Sequence, residues 1–352
     1  MTVKHSRAAR LAAFCAVLVL FGGGSATART PTLAECAAIQ SDSERLACYD
    51  RISGVRPVAA PEEPASAGGP DDIALPEPAG TAAPGAKPSL IDTAWAFAPD
   101  APKYIISTYR PNYLLFAHYT NSVNNQPFTP LFEAADVSDQ NLDAVEAMFQ
   151  ISFKTRLWTT DDRRWGAWIG YTQQSQWQVY NDDTSRPFRE TNYMPEIFLS
   201  YRPDVTFGGF HWRLLNLGYN HQSNGRSQIL SRSWDRLFAE FGIERGNFAL
   251  LVTPWYRISE SDDDDDNPDI TDYLGYGNIT AIYKPGNHSL ALMLRGNIST
   301  GKGAAQFTWQ SPPLLGPLRA YLKAFTGYGE SLIDYNWNQT SIGIGLALND
   351  VL

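Results

Sequence analysis

From about Lys103 onward, segments in which apolar side chains alternate with polar or small ones recur along the chain, separated by polar turns. Successive side chains of a β-strand point to opposite faces, so this alternation indicates strands whose two faces meet different surroundings. One clear segment has apolar residues at Trp165, Ala167, Ile169 and Tyr171, and another, near the C-terminus, at Ile342, Ile344, Leu346 and Leu348. About a dozen such segments predict an all-β fold.

Two all-β architectures show this alternation: a transmembrane β-barrel, whose outer face meets lipid, and a soluble β-sandwich. Aromatic residues make up 12% of the chain, with 10 Trp and 17 Tyr, and such rings are enriched at membrane interfaces. Beyond the extreme N-terminus no run approaches the roughly 18–20 apolar residues of a spanning helix. Polar opposite faces and aromatic strand ends favour an antiparallel barrel, for which bacteria usually use an even number of strands.

Residues 1–28 have the features of a secretory signal peptide. Lys4, Arg7 and Arg10 form a basic start, an apolar core follows over 11–21, and Ala-Thr-Ala at 26–28 is a small-x-small cleavage site. A retained anchor helix is the alternative, but the apolar core is short for one. The sequence therefore predicts an exported protein.

Two cysteines remain after the signal, Cys36 and Cys48. Export to an oxidising compartment favours a disulfide between them, and two free thiols are the alternative. The surrounding segment, 29–53, predicts two short helices that are too small to bury a core alone. Residues 54–91 are rich in Pro, Ala and Gly and predict a linker, so the barrel is expected over 92–352.

The formal net charge of −9 argues against a nucleic-acid partner, because basic stripes drive that binding.

A more specific signal lies in an apolar row that ends in two polar side chains. At alternate positions on one strand face this row contains Leu215, Leu217, Tyr219, His221 and Ser223. Polar groups on a lipid-facing surface are costly to keep there without a purpose.

The next strand pattern places Asp235 at the same parity as the apolar Leu237 and Phe241. Asp235 is thus expected on the outer face of the barrel beside His221 and Ser223. A serine hydroxyl is a weak nucleophile until an imidazole takes its proton, and a third group orients that imidazole. From periodicity alone, a catalytic triad and a set of polar side chains that anchor the strand ends at the membrane interface explain these residues equally well.

The residues around this candidate triad read YNHQSNGRS over 219–227 and SRSWDRL over 231–237. Three further blocks read PFRETNY over 187–193, DDNPDIT over 265–271 and GYGESLIDYN over 327–336. In order and spacing these blocks resemble the outer membrane phospholipase A family. The resemblance covers roughly residues 92–352, and the blocks together are far more specific than His-x-Ser-Asn-Gly alone.

The resemblance implies a 12-stranded antiparallel barrel in the outer membrane of a Gram-negative bacterium. The division of the chain into linker and barrel predicts that the N-terminal segment lies in the periplasm. The resemblance implies hydrolysis of phospholipid acyl esters at the A1 and A2 positions, and of lysophospholipids, at a site on the outer face of the barrel. It also implies activation by calcium and by the change from a resting monomer to an active homodimer.

By matching positions, the resemblance makes Ser223 the nucleophile and His221 the general base. Asp235 stands where the family commonly has an asparagine, and we expect it to orient His221 in the same way. The backbone amide of Gly225 lies at the oxyanion position.

Further matches concern calcium and the dimer. Ser231 and the carbonyl of Arg226 correspond to calcium ligands, Ser185 to the ligand lent by the partner subunit, and Gln173 to a residue of the dimer interface. The acidic run 262–266 lacks the glycine and terminal glutamate of an EF-hand loop, so a solvated loop is its ordinary interpretation. Within it, Asp266 is the weak candidate for an ion ligand.

Two rival functions are compatible with parts of the pattern. A non-catalytic barrel, either a porin or an adhesin scaffold, would direct its polar groups into the lumen, whereas parity places His221 and Ser223 with the outer leucines. A soluble secreted esterase would be expected to carry a Gly-x-Ser-x-Gly elbow between strand and helix, and this sequence contains none.

Overall fold

The computed structural model describes residues 32–53, 88–130, 142–182, 186–261 and 263–352. The chain divides into two compact units, residues 1–73 and 74–352, which are described separately. The predicted signal peptide lies outside the described residues, as does the predicted linker up to residue 87.

In the first unit, a disulfide joins two short helices, α1 (Leu33–Ala37) and α2 (Asp42–Ser53). Thr32 caps α1, since its hydroxyl accepts from the backbone N–H of Glu35 while the Glu35 carboxylate accepts from the backbone N–H of Thr32. Cys36 and Cys48 are bonded as expected, with Cα atoms 5.5 Å apart. Both cysteines are buried, so the disulfide forms the centre of this unit.

The second unit contains a closed antiparallel barrel of 12 strands. In the described ranges its elements are a helix α3 (Leu90–Trp95), the strands β1 (Ile105–Thr108), β2 (Tyr113–Thr120), β3 (Val145–Thr159), β4 (Trp165–Trp177), β5 (Phe188–Tyr201), β6 (Val205–Phe207), β7 (Phe210–Ser223), β8 (Ser233–Arg245) and β9 (Phe248–Ile258), a helix α4 (Ile270–Leu274), and the strands β10 (Gly277–Tyr283), β11 (Ser289–Asn297), β12 (Lys302–Leu315), β13 (Leu318–Tyr328) and β14 (Asn338–Ala347). Neighbours in sequence pair around the barrel, and β14 pairs with β2 to close it. The two short strands β1 and β6 pair with β3 and β7 outside this ring. The predicted fold class is therefore confirmed.

The two faces of the strands differ as the alternation predicts. On β7, Asn216 and Asn220 point inward and are buried, whereas the side chain of Leu217 between them is 53% exposed. Outward apolar side chains continue around the barrel at Ile169, Ile197, Leu237, Ile279, Leu294 and Ile344. A polar interior inside an apolar outer surface is the arrangement of a barrel that lies in lipid. Within the described ranges, no helix has the length and hydropathy that crossing a membrane requires.

The two ends of the barrel carry connections of different length. At one end β8 and β9 are joined by residues 246–247, and β12 and β13 by 316–317. At the other end β2–β3, β7–β8 and β9–β10 are joined by 121–144, 224–232 and 259–276. Outer-membrane barrels have short periplasmic turns and longer extracellular loops. His221 and Ser223, which end β7, therefore lie at the extracellular rim.

Helix α3 lies in the lumen near the short-turn end. Ile91, Trp95 and Phe97 are buried and pack against inward residues of the barrel wall, including Trp168 and Leu214. The ammonium of Lys154 on β3 lies 3.5 Å from the centre of the Trp95 ring, a cation–π contact. Arg202 holds Asp92 through two hydrogen bonds of 2.7 and 2.8 Å. The segment before β1 thus fills this part of the lumen.

Nearer the extracellular rim, the loop between β13 and β14 carries Glu330 into the barrel interior. This carboxylate accepts from Lys323 Nζ at 2.6 Å and from Gln339 Nε2 at 2.7 Å, and it contacts His118 Nε2 at 3.0 Å. The Ser341 hydroxyl donates to both carboxylate oxygens at 2.8 Å. Burial alone would raise the pKa of Glu330, but the charges of Lys323 and His118 hold that pKa well below its ordinary value.

Replacing Glu330 by glutamine leaves Lys323 buried without its counter-charge, and we expect a loss of about 3–5 kcal/mol in the free energy of unfolding near pH 7. Because the folded pKa of Glu330 is lowered, its contribution is present above the ordinary carboxyl pKa of about 4.3 and is lost as the pH falls through the folded value. Urea unfolding of the detergent-folded barrel, followed by tryptophan fluorescence, measures this difference.

The matched control is Asp161→Asn. The Asp161 side chain is 93% exposed and pairs with Lys103. Solvent screens an exposed ion pair, so its contribution to stability is small and this variant should unfold like the wild type. If both substitutions lowered the free energy of unfolding by the same small amount, the Glu330 cluster would not stabilise the barrel as described.

Candidate active site

The register between β7 and β8 brings together two members of the predicted triad, His221 and Asp235. His221 lies directly opposite Asp235 across this strand pair, and Ser223 lies opposite Ser233. The Nδ1 atom of His221 is 2.8 Å from Asp235 Oδ1. Both side chains face outward and are partly exposed, His221 by 38% and Asp235 by 28%. The predicted parity of the two strands is therefore confirmed.

The hydrogen bond to Asp235 determines which nitrogen of His221 can act as a base. A carboxylate only accepts, so in the neutral imidazole the proton lies on Nδ1 and the lone pair lies on Nε2. Ser223 is two residues further along the same strand face, about 6.6 Å away along the backbone at ~3.3 Å per residue. In the described region of β7, no hydrogen bond joins the Ser223 hydroxyl to His221. Such contacts are often long in the absence of substrate and shorten when substrate binds.

The loop after Ser223 is organised by the side chain of Asn224, which is buried. Its Oδ1 accepts from the backbone N–H groups of Arg226 at 3.2 Å and Arg232 at 3.1 Å, and its Nδ2 donates to the carbonyl of Leu230 at 2.8 Å. Gly225, between these contacts, has a φ of +63°, a backbone conformation that favours glycine. Asn224 thus fixes the conformation of the segment that carries the Gly225 amide. Asn224 belongs to the YNHQSNGRS block, but no sequence pattern there indicates this role.

Two further contacts attach this loop to the barrel. Leu230 is buried in an apolar cluster with Phe128, Leu142 and Ile333, which come from other extracellular loops. Leu230 is the last residue of a short 3-10 helix in this loop, Gln228–Leu230. The loop is therefore packed against its neighbours.

The second contact is made by the guanidinium of Arg226. It donates to the backbone carbonyls of Phe188 at 3.1 Å and Arg189 at 2.6 Å at the start of β5. It also lies 3.5 Å from a carboxylate oxygen of Glu190, which is buried in the lumen. The side chain of Arg226 thus anchors the loop, which leaves its backbone carbonyl as the group available for an ion.

The residues predicted to bind calcium are partly brought together. The Ser231 hydroxyl donates to the Asp266 carboxylate, so these two candidate ligand oxygens lie side by side. Ser185 lies outside the described residues. Asp265 is paired with Arg257 at 2.6 Å and is not free for an ion. In the described part of the chain, no group of three His, Cys, Asp or Glu side chains is arranged to hold a metal. Hydroxyl, carbonyl and single carboxylate oxygens nevertheless fit calcium, which takes hard oxygen ligands.

Gln173 lies on the outer face of β4, at the same parity as the exposed Ile169. Its amide accepts from the Tyr171 hydroxyl at 3.1 Å and donates to the Ser175 hydroxyl at 3.2 Å. The Ser175 hydroxyl in turn lies 3.1 Å from that of Thr191 on β5. These groups form a hydrogen-bonded polar strip on an otherwise apolar surface.

The model of the family described as Phospholipase A1 matches residues 97–348, which includes the barrel and the whole of this site. The chain belongs to the phospholipase A1 family. A phospholipase A1 of Klebsiella pneumoniae is 41% identical over 251 residues, covering 70% of this chain and 84% of the relative. A putative phospholipase A1 of Neisseria meningitidis is 36% identical and covers 93% of both chains, so that alignment extends beyond the barrel into the residues before it.

Among solved structures, the Salmonella typhi outer membrane phospholipase dimer with bound calcium is similar, with a TM-score of 0.65 and 38% identity over 70% of this chain and 94% of that one. The membership of this chain in the phospholipase A1 family and its apolar outer surface make it an integral protein of the outer membrane of a Gram-negative bacterium.

Gly225 provides a test of the loop. A Cβ at this position would lie 3.1 Å from the Tyr193 ring, so Gly225→Ala displaces the backbone amide, and we expect a loss of phospholipase turnover of about tenfold to a hundredfold. Gly246→Ala is the matched control, because Gly246 has a φ of +60° and a Cβ there contacts nothing within 4 Å. Equal activity of the two variants, both correctly folded, would argue against a role of this loop in catalysis.

Proposed function

We propose that this phospholipase hydrolyses the acyl esters of phospholipids at both the A1 and A2 positions, and those of lysophospholipids, with Ser223, His221 and Asp235 as its catalytic triad. The observation that supports this most strongly is the 2.8 Å contact between His221 and Asp235 on the lipid-facing surface, with Ser223 on the same strand face. A site that faces lipid can receive acyl chains directly from the membrane.

In the proposed reaction, His221 Nε2 takes the proton of Ser223 as the serine oxygen attacks the acyl carbonyl. Asp235 stabilises the imidazolium that forms. The ester C–O bond then breaks, the glycerol oxygen leaves with the proton from His221, and the acyl group stays on Ser223. A water molecule, deprotonated by His221, attacks this acyl ester and releases the fatty acid, which restores the serine hydroxyl.

Negative charge develops on the acyl oxygen in both steps, and we propose that the Gly225 amide donates a hydrogen bond to it. Calcium would be held by the carbonyl of Arg226, the Ser231 hydroxyl and Ser185 of the partner subunit, with Asp266 as a weaker candidate. When bound, the ion supplies positive charge beside the developing oxyanion. The adjacent oxygens of Ser231 and Asp266 support this assignment.

We further propose that the resting enzyme is a monomer and the active enzyme a homodimer. Each outer surface carries a triad but only one wall of an acyl-chain cleft, so two surfaces must meet to complete it. Gln173 lies on this outer face, where its polar strip can exchange an internal hydrogen bond for one across the interface. Control by dimerisation would also protect the host membrane from continuous hydrolysis.

The alternative is a non-catalytic barrel that serves as a porin or an adhesin scaffold. The packing of Ile91, Trp95 and Phe97 inside the lumen disfavours an open pore. His221 and Asp235 face outward, whereas the polar groups of a porin would face the lumen.

Ser223→Ala is expected to reduce fatty-acid release from mixed micelles of phospholipid and detergent by more than about ten-thousandfold. Asp235→Ala should cause a smaller loss, between about a hundredfold and ten-thousandfold, because the nucleophile and base remain. The control is Ser233→Ala, which removes a hydroxyl directly opposite Ser223 on the same pair of strands. Unchanged hydrolysis in Asp235→Ala, beside an inactive Ser223→Ala, would remove Asp235 from the triad.

Ser231→Ala should raise the calcium concentration needed for half-maximal hydrolysis by about tenfold or more, since it removes one oxygen ligand. The same calcium titration, followed by chemical crosslinking, should show less dimer in this variant at low calcium. Ser227→Ala is the control, because Ser227 is an exposed hydroxyl of the same loop. An identical calcium dependence of Ser231→Ala and wild type would exclude Ser231 as a ligand.

A further inference from the structure

The carboxylate of Asp235 has a second hydrogen-bond partner besides His221. The Tyr219 hydroxyl donates to Asp235 Oδ1 at 2.7 Å, and the same oxygen lies 2.8 Å from His221 Nδ1. Tyr219 precedes His221 by two residues on β7 and therefore shares its outward face. One carboxylate oxygen thus receives two donors from a single strand. Because an ionised carboxylate only accepts hydrogen bonds, the direction of the tyrosine bond is fixed.

This second hydrogen bond offsets part of the energetic cost of placing the Asp235 charge on the outer surface of the barrel. The side chain is 28% exposed on a surface that faces lipid, where a charge is far less stable than in water. The family that this chain resembles commonly has an asparagine at this position, and a neutral amide would carry no such energetic cost. A hydrogen bond to a charged acceptor is roughly twice as strong as one between neutral groups, so the tyrosine hydroxyl stabilises a carboxylate more than it would an amide.

We propose that Tyr219 is a positioning residue of this active site: its hydroxyl holds in place the Asp235 oxygen that faces His221. The inference rests on the proposed function, since it concerns the same triad. Tyr219 acts through Asp235 and is assigned no contact with the substrate. Without the hydroxyl, the carboxylate loses its fixed direction and part of its stabilisation, so it stabilises the His221 imidazolium less well in the transition state.

The test is a double-mutant cycle of Tyr219→Phe and Asp235→Asn, with fatty-acid release measured over a range of substrate concentrations. In the wild-type background we expect Tyr219→Phe to lower kcat by about tenfold or more with little change in KM, because the lost hydrogen bond has a charged acceptor. In the Asp235→Asn background the acceptor is neutral, and the same substitution should lower kcat by only about threefold or less.

The control is Tyr256→Phe, which removes another hydroxyl from the same outer face. Tyr256 is opposite Leu237 on the neighbouring strand and is 68% exposed, and its substitution should change kcat in neither background. The heat-dependent shift in gel mobility of the folded barrel confirms that each variant has the wild-type fold.

A purely structural role of Tyr219 would lower kcat equally in both backgrounds, and that result would overturn the inference. An unchanged kcat of Tyr219→Phe in the wild-type background would overturn it as well. A wild-type protein that is folded, supplied with calcium and still inactive would instead contradict the proposed function itself, so the two failures are distinguishable.

Discussion

The register between β7 and β8 is the constraint on which the proposed site depends. Side chains alternate between the two faces of a strand, so a slip of one residue would turn Asp235 into the lumen and leave His221 alone on the outer face. The observed register pairs His221 with Asp235 and buries their inward neighbours Asn220 and Trp234. The same packing that fixes the barrel wall therefore fixes the pairing of His221 with Asp235 in the proposed triad. A catalytic group on the outside of a barrel needs such support, since lipid offers no fixed partners of its own.

The interior of the barrel provides that support. Glu330 and its partners Lys323 and His118 form a buried polar cluster behind the wall near the extracellular rim. A second connection runs from the interior to the loop of the site, because the Arg226 side chain binds backbone carbonyls at the start of β5. Hydrogen bonds and ion pairs within a buried polar network of this kind make a structure more rigid. Rigidity behind the wall matters because catalysis requires the nucleophile, base and oxyanion donor at fixed distances.

Much of this arrangement could be predicted from sequence because it follows from the two-residue period of a strand. The barrel, the outward direction of Leu217 and the common face of His221 and Asp235 all depend on parity alone. The contacts of Asn224 and Tyr219 could not be predicted, since they depend on which atoms a side chain reaches rather than on the face it occupies. The cluster around Glu330 joins residues more than two hundred positions apart, and no local pattern encodes such a contact. The calcium site was predicted by resemblance, and Ser185 lies outside the described residues.

Covalent labelling with a long-chain alkyl fluorophosphonate tests the central claim most directly, because this reagent reacts with a serine only where a base has activated it. Applied to the calcium-loaded protein in detergent and followed by peptide mass spectrometry, it should modify Ser223 and stop hydrolysis in proportion to the fraction labelled. His221→Ala should remain unlabelled. A fully active enzyme whose Ser223 stays unmodified, or whose inactivation follows the labelling of a different residue, would contradict a catalytic triad on the outer face of the barrel.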